Sequence, residues 1–405
     1  MHAMINYDAI KTHCSRINQL SSDVIDDFLI PYAAQQDNLE REAKKQLARY
    51  RHVQSDLPQS WSNMIVSQYI AHKIFEEGGL IHRYINHSAL NHMRDKELEY
   101  LKEQATRPWR FSFAIIADRP ARDFFEMVDV FTGESYLLYS TGLTKYMSSQ
   151  NVVLCFNLIG YNGKCWQTFG PISAYESFEP TDIEFFATQL NRGYWFEDTE
   201  ELTEFIESKP IPFTYLFAGS KIPMVIHDDH QIVQITAEYI DDTFNADALR
   251  NQFTVEYSNG VYKISEPEWS KFPHFTSAYY DEKEELLFLN ALTDAGFQNL
   301  VDNLNLCGYN LSAVPDFRVN MSMLQFSKRL LKKEINLNPY DDNFTVPLPE
   351  KESKNTQNIN ALMSELIPFI NSGQQPDFNQ LSKRFDVPVE DVEGLYHQVR
   401  GKLDF

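Results

Sequence analysis

Over residues 1–107 the apolar positions recur three and four apart, the period of an amphipathic helix. Ile5, Ile10, Ile17 and Leu20 give a loose stripe, Ser21-Ser22-Asp23 offers a cap for the next helix, and Pro31 ends or kinks it. In the charged segment 37–51, Leu39, Ala43 and Leu47 keep helical spacing. Past Leu57-Pro58, Trp61, Ile65 and Tyr69 form one row and Val66, Ile70 and Ile74 a second. Two rows make a wide apolar face, so this helix is expected at the centre of a bundle. Gly78-Gly79 stops it, and one long helix is predicted over 80–104, ending ahead of Arg107-Pro108.

From Trp109 the period falls to two. Phe111, Phe113 and Ile115 alternate with Arg110, Ser112 and Ala114, and strands follow over 124–131 and 135–140. Asn162-Gly163 predicts a two-residue hairpin with Tyr161 opposite Lys164, Gly160 opposite Cys165 and Cys155 opposite Gly170. Helices are predicted over 180–193 and 198–208. Strands resume at 213–217, 224–226 and 231–240, then in a hairpin over 253–264 turning at Ser258-Asn259-Gly260. Strands at 279–280 and 286–289 flank Asp281 to Glu285, and a helix is predicted over 294–306. Strands in runs with helices set between them, without βαβ alternation, make the fold class α+β. Its expected parts are a helical region 1–107, an α+β region 108–335 of one or two subdomains, a linker 336–357, and a small helical unit 358–405.

The last unit carries the sharpest local pattern. A helix bearing Leu381 and Phe385 meets a tight turn at Asp386-Val387, and Pro388 suits the first turn of a second helix. The shape is that of a helix-turn-helix, whose second helix enters the major groove of DNA. Here that helix opens with Glu390, Asp391 and Glu393, which complement the helix dipole and repel phosphate. A structural or protein-docking unit is therefore preferred to a DNA-binding one.

Composition narrows the partners. With 57 acidic and 36 basic side chains, the formal charge is −21, which favours neither nucleic acid nor an anionic membrane. No apolar run is long enough to span a bilayer, and the start lacks a signal-peptide pattern, so the expected location is cytoplasmic. Four scattered cysteines, Cys14, Cys155, Cys165 and Cys307, are read as reduced thiols, and the hairpin register argues against pairing Cys155 with Cys165.

Candidate chemistry is sparse. His227, Asp229 and His230, in His227-Asp228-Asp229-His230, could ligate a divalent metal, but a polar hairpin tip is the preferred reading. His82, His87 and His92 step by five and spread around a helix, whereas His72 and Glu76 are four apart and share a face. These histidines are read as structural or solvent-facing. Tyr257, Tyr262 and Trp269 could stack a ligand, and Asp281 to Glu285 reads as a solvated turn. Nucleotide-binding, zinc-protease, nucleophile-elbow and CxxC motifs are absent, and no cofactor is implied.

The stretch Phe124-Phe125-Glu126-Met127-Val128-Asp129-Val130-Phe131-Thr132-Gly133-Glu134, followed by Tyr136-Leu137-Leu138-Tyr139-Ser140, resembles a β-rich region of uncharacterised bacterial proteins. In those proteins an aspartate and a Thr-Gly turn separate two strands. Some of them end in a Cys/His zinc motif named after the SecA C-terminus, which this chain lacks. The resemblance spans part of 109–171 and implies a bacterial family, with no functional residue to carry over. The expected role is protein interaction or ligand binding without catalysis. Metal-assisted hydrolysis and DNA-binding regulation are the alternatives.

Overall fold

The computed structural model describes residues 6–148, 152–222, 231–240, 244–344 and 350–403. They form two compact units. One runs up to Ser220 and takes in Phe326–Lys332. The other comprises Lys221–Gln325 and the chain from Lys333 onward. The fold is α+β. The change of period at Trp109 marks a change of element, not an edge between units, since helices and strands on either side of it belong to the first.

In the first unit β1 (Arg110–Ala121), β2 (Phe124–Asp129), β3 (Ser135–Tyr139), β4 (Leu154–Tyr161) and β5 (Trp166–Tyr175) close a barrel in the order β1-β2-β3-β5-β4. All neighbours are antiparallel except β3 and β5, which meet in parallel at Leu138 and Trp166. Ala114, Phe125, Met127, Leu138, Cys155 and Ile159 belong to one buried cluster. Phe111 and Phe113 instead stack on Phe156, at 5.1 and 4.2 Å between ring centres.

Helices cover the barrel. Gln68, on the helix Trp61–Phe75, donates through Nε2 to the carbonyls of Phe169 and Pro171 on β5, at 2.8 and 3.2 Å. The helix Pro210–Gly219 is buried along its whole length, with Phe213 against Phe113, Phe156 and Phe186. This corrects the strand predicted at 213–217. A helix buried on every side has no polar face, so its apolar run carries no period to distinguish it from a central strand. Pro210 at its first position and the ten-residue length decide the matter.

Two further expectations fail in this unit. The single helix over 80–104 is broken into Ile81–Tyr84, a 3₁₀ turn at Ser88–Leu90, and Asp95–Ala105. His87 takes an extended backbone and its ring nitrogen accepts the Ala89 N–H, while Glu97 accepts the Arg94 N–H at 2.8 Å and starts the last segment afresh. The Asn162-Gly163 turn is a four-residue loop, in which Tyr161 faces Trp166. Asn162 Oδ1 accepts the N–H groups of Lys164 and Cys165, both at 2.9 Å, which draws two more residues into the loop. A further irregularity between Phe156 and Leu158 sets Cys155 opposite Ala174.

The second unit holds an antiparallel sheet of β6 (Ile232–Tyr239), β7 (Thr254–Ser258), β8 (Val261–Ser265), β9 (Ser277–Asp281), β10 (Leu286–Ala291) and β11 (Phe317–Asn320), in the order β11-β6-β10-β9-β8-β7. At Asn259-Gly260 both residues have positive φ, 54° and 82°, and Ser258 pairs with Val261, the two-residue hairpin the sequence predicts. The helix Asp294–Leu306 buries Phe297, Leu300, Val301 and Leu304 with Leu287 and Leu289. Tyr340, within the expected linker, stacks on Tyr279 at 5.7 Å, and Tyr279 donates to Asp341 at 2.9 Å. A helix also starts at Glu350, so much of 336–357 is structured. Glu350–Ser372, Phe378–Phe385 and Val389–Leu403 close on a core of Leu362, Leu366, Phe378, Leu381, Val392 and Tyr396. Asp386 turns between the last two helices in the left-handed region, at φ 53°. No helix of the described residues is long and apolar enough to cross a membrane.

Candidate ligand-binding cleft

A cleft of about 780 Å³ opens in the first unit. That volume falls within the range of small-ligand sites. Five segments build it. The last turn of Trp61–Phe75 supplies His72 and Lys73, with Glu76 just beyond. The first residues of β1 and β5 supply Arg110 and Trp166, and the β2–β3 turn supplies Glu134. The helix Thr199–Ser208, capped where Asp198 Oδ1 accepts the Glu201 N–H at 2.9 Å, supplies Glu204 and Glu207.

Trp109 forms an apolar wall and is fixed on three sides. It stacks on Phe75 at 4.5 Å and donates through Nε1 to Gln104 Oε1 at 2.8 Å. Its third neighbour is Gly160 of β4, where a Cβ would come within 2.5 Å of the indole. Only glycine admits the ring there.

The polar walls rest on Glu207. Its Oε2 accepts from His72 Nε2, and its Oε1 accepts the Phe111 N–H at 2.6 Å, which ties the helix to β1. His72 is 1% exposed, its edge meets Phe111 at 4.9 Å, and its Nδ1 has no hydrogen bond, with Glu76 Oε2 3.5 Å away. Glu76 instead takes Lys73 Nζ on both oxygens, at 3.1 and 2.9 Å. His72 thus orients Glu207, and Glu76 screens its free nitrogen.

Arg110 is the unusual group. Its Nη1 meets Glu134 at 2.6 Å, and its guanidinium lies 5.1 Å from the Trp166 ring and 5.9 Å from Tyr136. Nε and Nη2 are buried and have no partner among the described residues. These two nitrogens form one edge of the guanidinium, the fork that grips a carboxylate or phosphate with two parallel bonds. Leaving both unbonded and unhydrated is costly. Beneath them, Ser112 Oγ bonds Asp129 Oδ2 at 2.7 Å and the Tyr136 hydroxyl at 3.0 Å. Burial pushes the Tyr136 hydroxyl well above its usual range, so it stays neutral.

Asp129 is fully employed by the fold. Its Oδ1 accepts the N–H groups of Phe131 and Thr132, and its carbonyl accepts that of Gly133. The Asp-x-x-Thr-Gly pattern is therefore a turn device.

Of the residues singled out in the sequence, His72 and Glu76 meet in this cleft. His227, Asp229 and His230 lie outside the described residues. His87 contacts the Tyr32 hydroxyl at 3.1 Å, and His92 packs edge-on to Phe28 at 4.7 Å. Tyr257 and Tyr262 do meet, at 4.6 Å, but Trp269 lies against His274 at 4.4 Å instead. Asp281 Oδ1 accepts the Lys283 and Glu284 N–H groups, holding the turn. Among the described residues no cluster of His, Cys, Asp and Glu is arranged to hold a metal ion. Arg110, Glu134, Trp166 and Glu207 carry no signal in the sequence, because each occupies an ordinary position: a polar strand alternate, a turn, a hairpin end, an acidic helix. No family model, curated protein or solved structure matches the chain.

Proposed function

We propose that the protein is a non-catalytic small-molecule binder, and that its ligand joins a carboxylate to an apolar, preferably aromatic, body. The observation that carries this is the unsatisfied fork of Arg110 in a cleft walled by Trp109 and Trp166. Arg110 is 26% exposed and Glu134 46%, so the guanidinium can turn toward an entering oxyanion and Glu134 can let it go. Around that fork carboxylates outnumber cations: Glu76, Glu77, Glu134, Glu204 and Glu207 against Lys73, Arg107 and Arg110. A ligand carrying an ammonium group beside its carboxylate suits both signs, which points to amino-acid-like zwitterions.

Four free cysteines fit work in a reducing compartment such as the cytoplasm, as does the chain's acidic charge for a freely diffusing protein. The C-terminal helices support protein docking better than DNA reading, because Glu390, Asp391 and Glu393 stand exposed where a recognition helix would meet phosphate.

The test is thermal denaturation of the intact chain with L-phenylalanine, phenylacetate and phenethylamine. Stabilisation should fall in that order, and R110M should clearly reduce the first two responses. At a hundredfold excess over Kd a ligand adds about 2.7 kcal/mol, an easily measured shift. Carboxylates without effect, or effects that R110M leaves undiminished, would refute the assignment. Hydrolysis of esters or amides of these acids, lost in H72A, would make the protein a hydrolase instead.

A further inference from the structure

Cys14 and Cys165 are 151 positions apart in the chain, yet their sulfurs lie 3.4 Å apart. Cys14 sits on the helix Tyr7–Ser21, and Cys165 closes the β4–β5 loop; both are buried. The contact is held from several sides. Asn162 Nδ2 donates to Cys14 Sγ at 3.2 Å and reaches Cys165 Sγ at 3.6 Å, and Gln167 Oε1 fixes that amide at 2.6 Å. Gln167 Nε2 in turn bonds Asn18 of the helix at 2.7 Å, and Lys11 pairs with Asp123 at 2.9 Å. The same Asn162 whose side-chain oxygen widens the loop thus presents its amide to both sulfurs.

We propose that Cys14 and Cys165 form a reversible disulfide on exposure to peroxide, fastening the helix Tyr7–Ser21 to the barrel. Cys14 is the attacking sulfur. The Cys165 thiol and the Asn162 amide both donate toward it, holding its pKa below that of a free thiol, while the same contact and burial push Cys165 up. The Cys14 thiolate attacks one peroxide oxygen, the O–O bond breaks, and hydroxide leaves to become water. The product is a sulfenic acid on Cys14. Cys165 then attacks that sulfur, the S–O bond breaks, and a second water leaves with the Cys165 proton. Two electrons from the two thiols reduce one peroxide to two waters. Because both sulfurs are shielded, the reaction proceeds through local opening of the helix from the barrel.

The other two thiols serve as internal controls. Cys155 is enclosed in the barrel core, and burial lifts its thiol to about 12, so it is inert. Cys307 is partly exposed, donates to Gln252 at 3.1 Å, and has no sulfur partner among the described residues.

The experiment treats the intact chain with hydrogen peroxide, counts thiols, and maps peptides without reduction. The expected result is one crosslinked peptide joining Cys14 to Cys165, loss of those two thiols, and their return with dithiothreitol. In C165S, dimedone should label Cys14, since the sulfenic acid has no second sulfur to consume it. Persistence of both thiols at peroxide levels that oxidise Cys307 would overturn the proposal. So would Cys14 advancing to a sulfinic acid while Cys165 stays reduced. The wild-type peptide map alone separates these outcomes, whether or not C165S folds.

Discussion

The first unit has its cleft beside Arg110; the second has a recess of about 650 Å³ between Phe244, Arg250, Tyr262, Tyr280, Glu282 and Glu285. The two are close in size and differ in chemistry. In the recess Arg250 pairs with Asp247 on the surface, Glu282 accepts the Tyr257 hydroxyl at 2.9 Å, and Phe244 stacks on Tyr280 at 4.1 Å. None of its side-chain polar atoms is both buried and unpaired among the described residues. In the cleft, Arg110 and His72 both keep nitrogens that the fold encloses and does not satisfy. Volume does not distinguish a binding site from a dent; unanswered hydrogen-bonding capacity does.

The contrast sets the order of expected effects. E207A should be the most damaging change, because it strands His72 Nε2 and the Phe111 N–H together. A loss of about 2–3 kcal/mol in urea denaturation is expected, whereas D247A, at the recess, should stay within about 0.5 kcal/mol. If the two cost the same, the cleft is no more tightly built than the recess. Next comes the fork: R110M should weaken L-phenylalanine binding roughly 10- to 100-fold by calorimetry, the worth of about 1.5–3 kcal/mol for hydrogen bonds to a charged group. R110K should recover little, since an ammonium cannot reproduce the fork. R250M should leave binding unchanged. A smaller effect belongs to W166A, about a tenfold loss or less, in line with roughly 0.5–1.5 kcal/mol for an aromatic contact. An equal loss in Y262A would move the aromatic site to the recess.

How much of this is legible in the chain depends on whether local signals go unopposed. The two Asn-Gly turns show it. Asn259-Gly260 lies at a hairpin tip with its left-handed backbone free to form, and it does what the dipeptide predicts. Asn162-Gly163 carries the same signal, but the Asn162 side chain is claimed by Lys164, Cys165, Cys14 and Gln167, and tertiary bonding resets the register. Likewise Trp61–Phe75, with two apolar rows and polar positions between them, is readable as a helix, while Pro210–Gly219 is not, because complete burial erases its period. Of the cleft, only the His72–Glu76 spacing is visible. Glu207 reaches His72 across 135 positions, and Arg110 reaches Glu134 with β1 and β2 between them in the chain, contacts that the fold creates and no spacing encodes.

An arginine edge that the fold leaves unanswered has a consequence that needs no ligand to detect. Replacing it by an apolar side chain of similar length removes two buried, unpaired donors and should cost the free protein nothing. The decisive measurement is therefore the unfolding free energy of unliganded R110M against wild type in urea. Equal or higher stability, by up to about 1 kcal/mol, is the predicted result. A fall of about 2 kcal/mol or more would mean that Arg110 is a structural strut, and the cleft would lose its claim to a ligand.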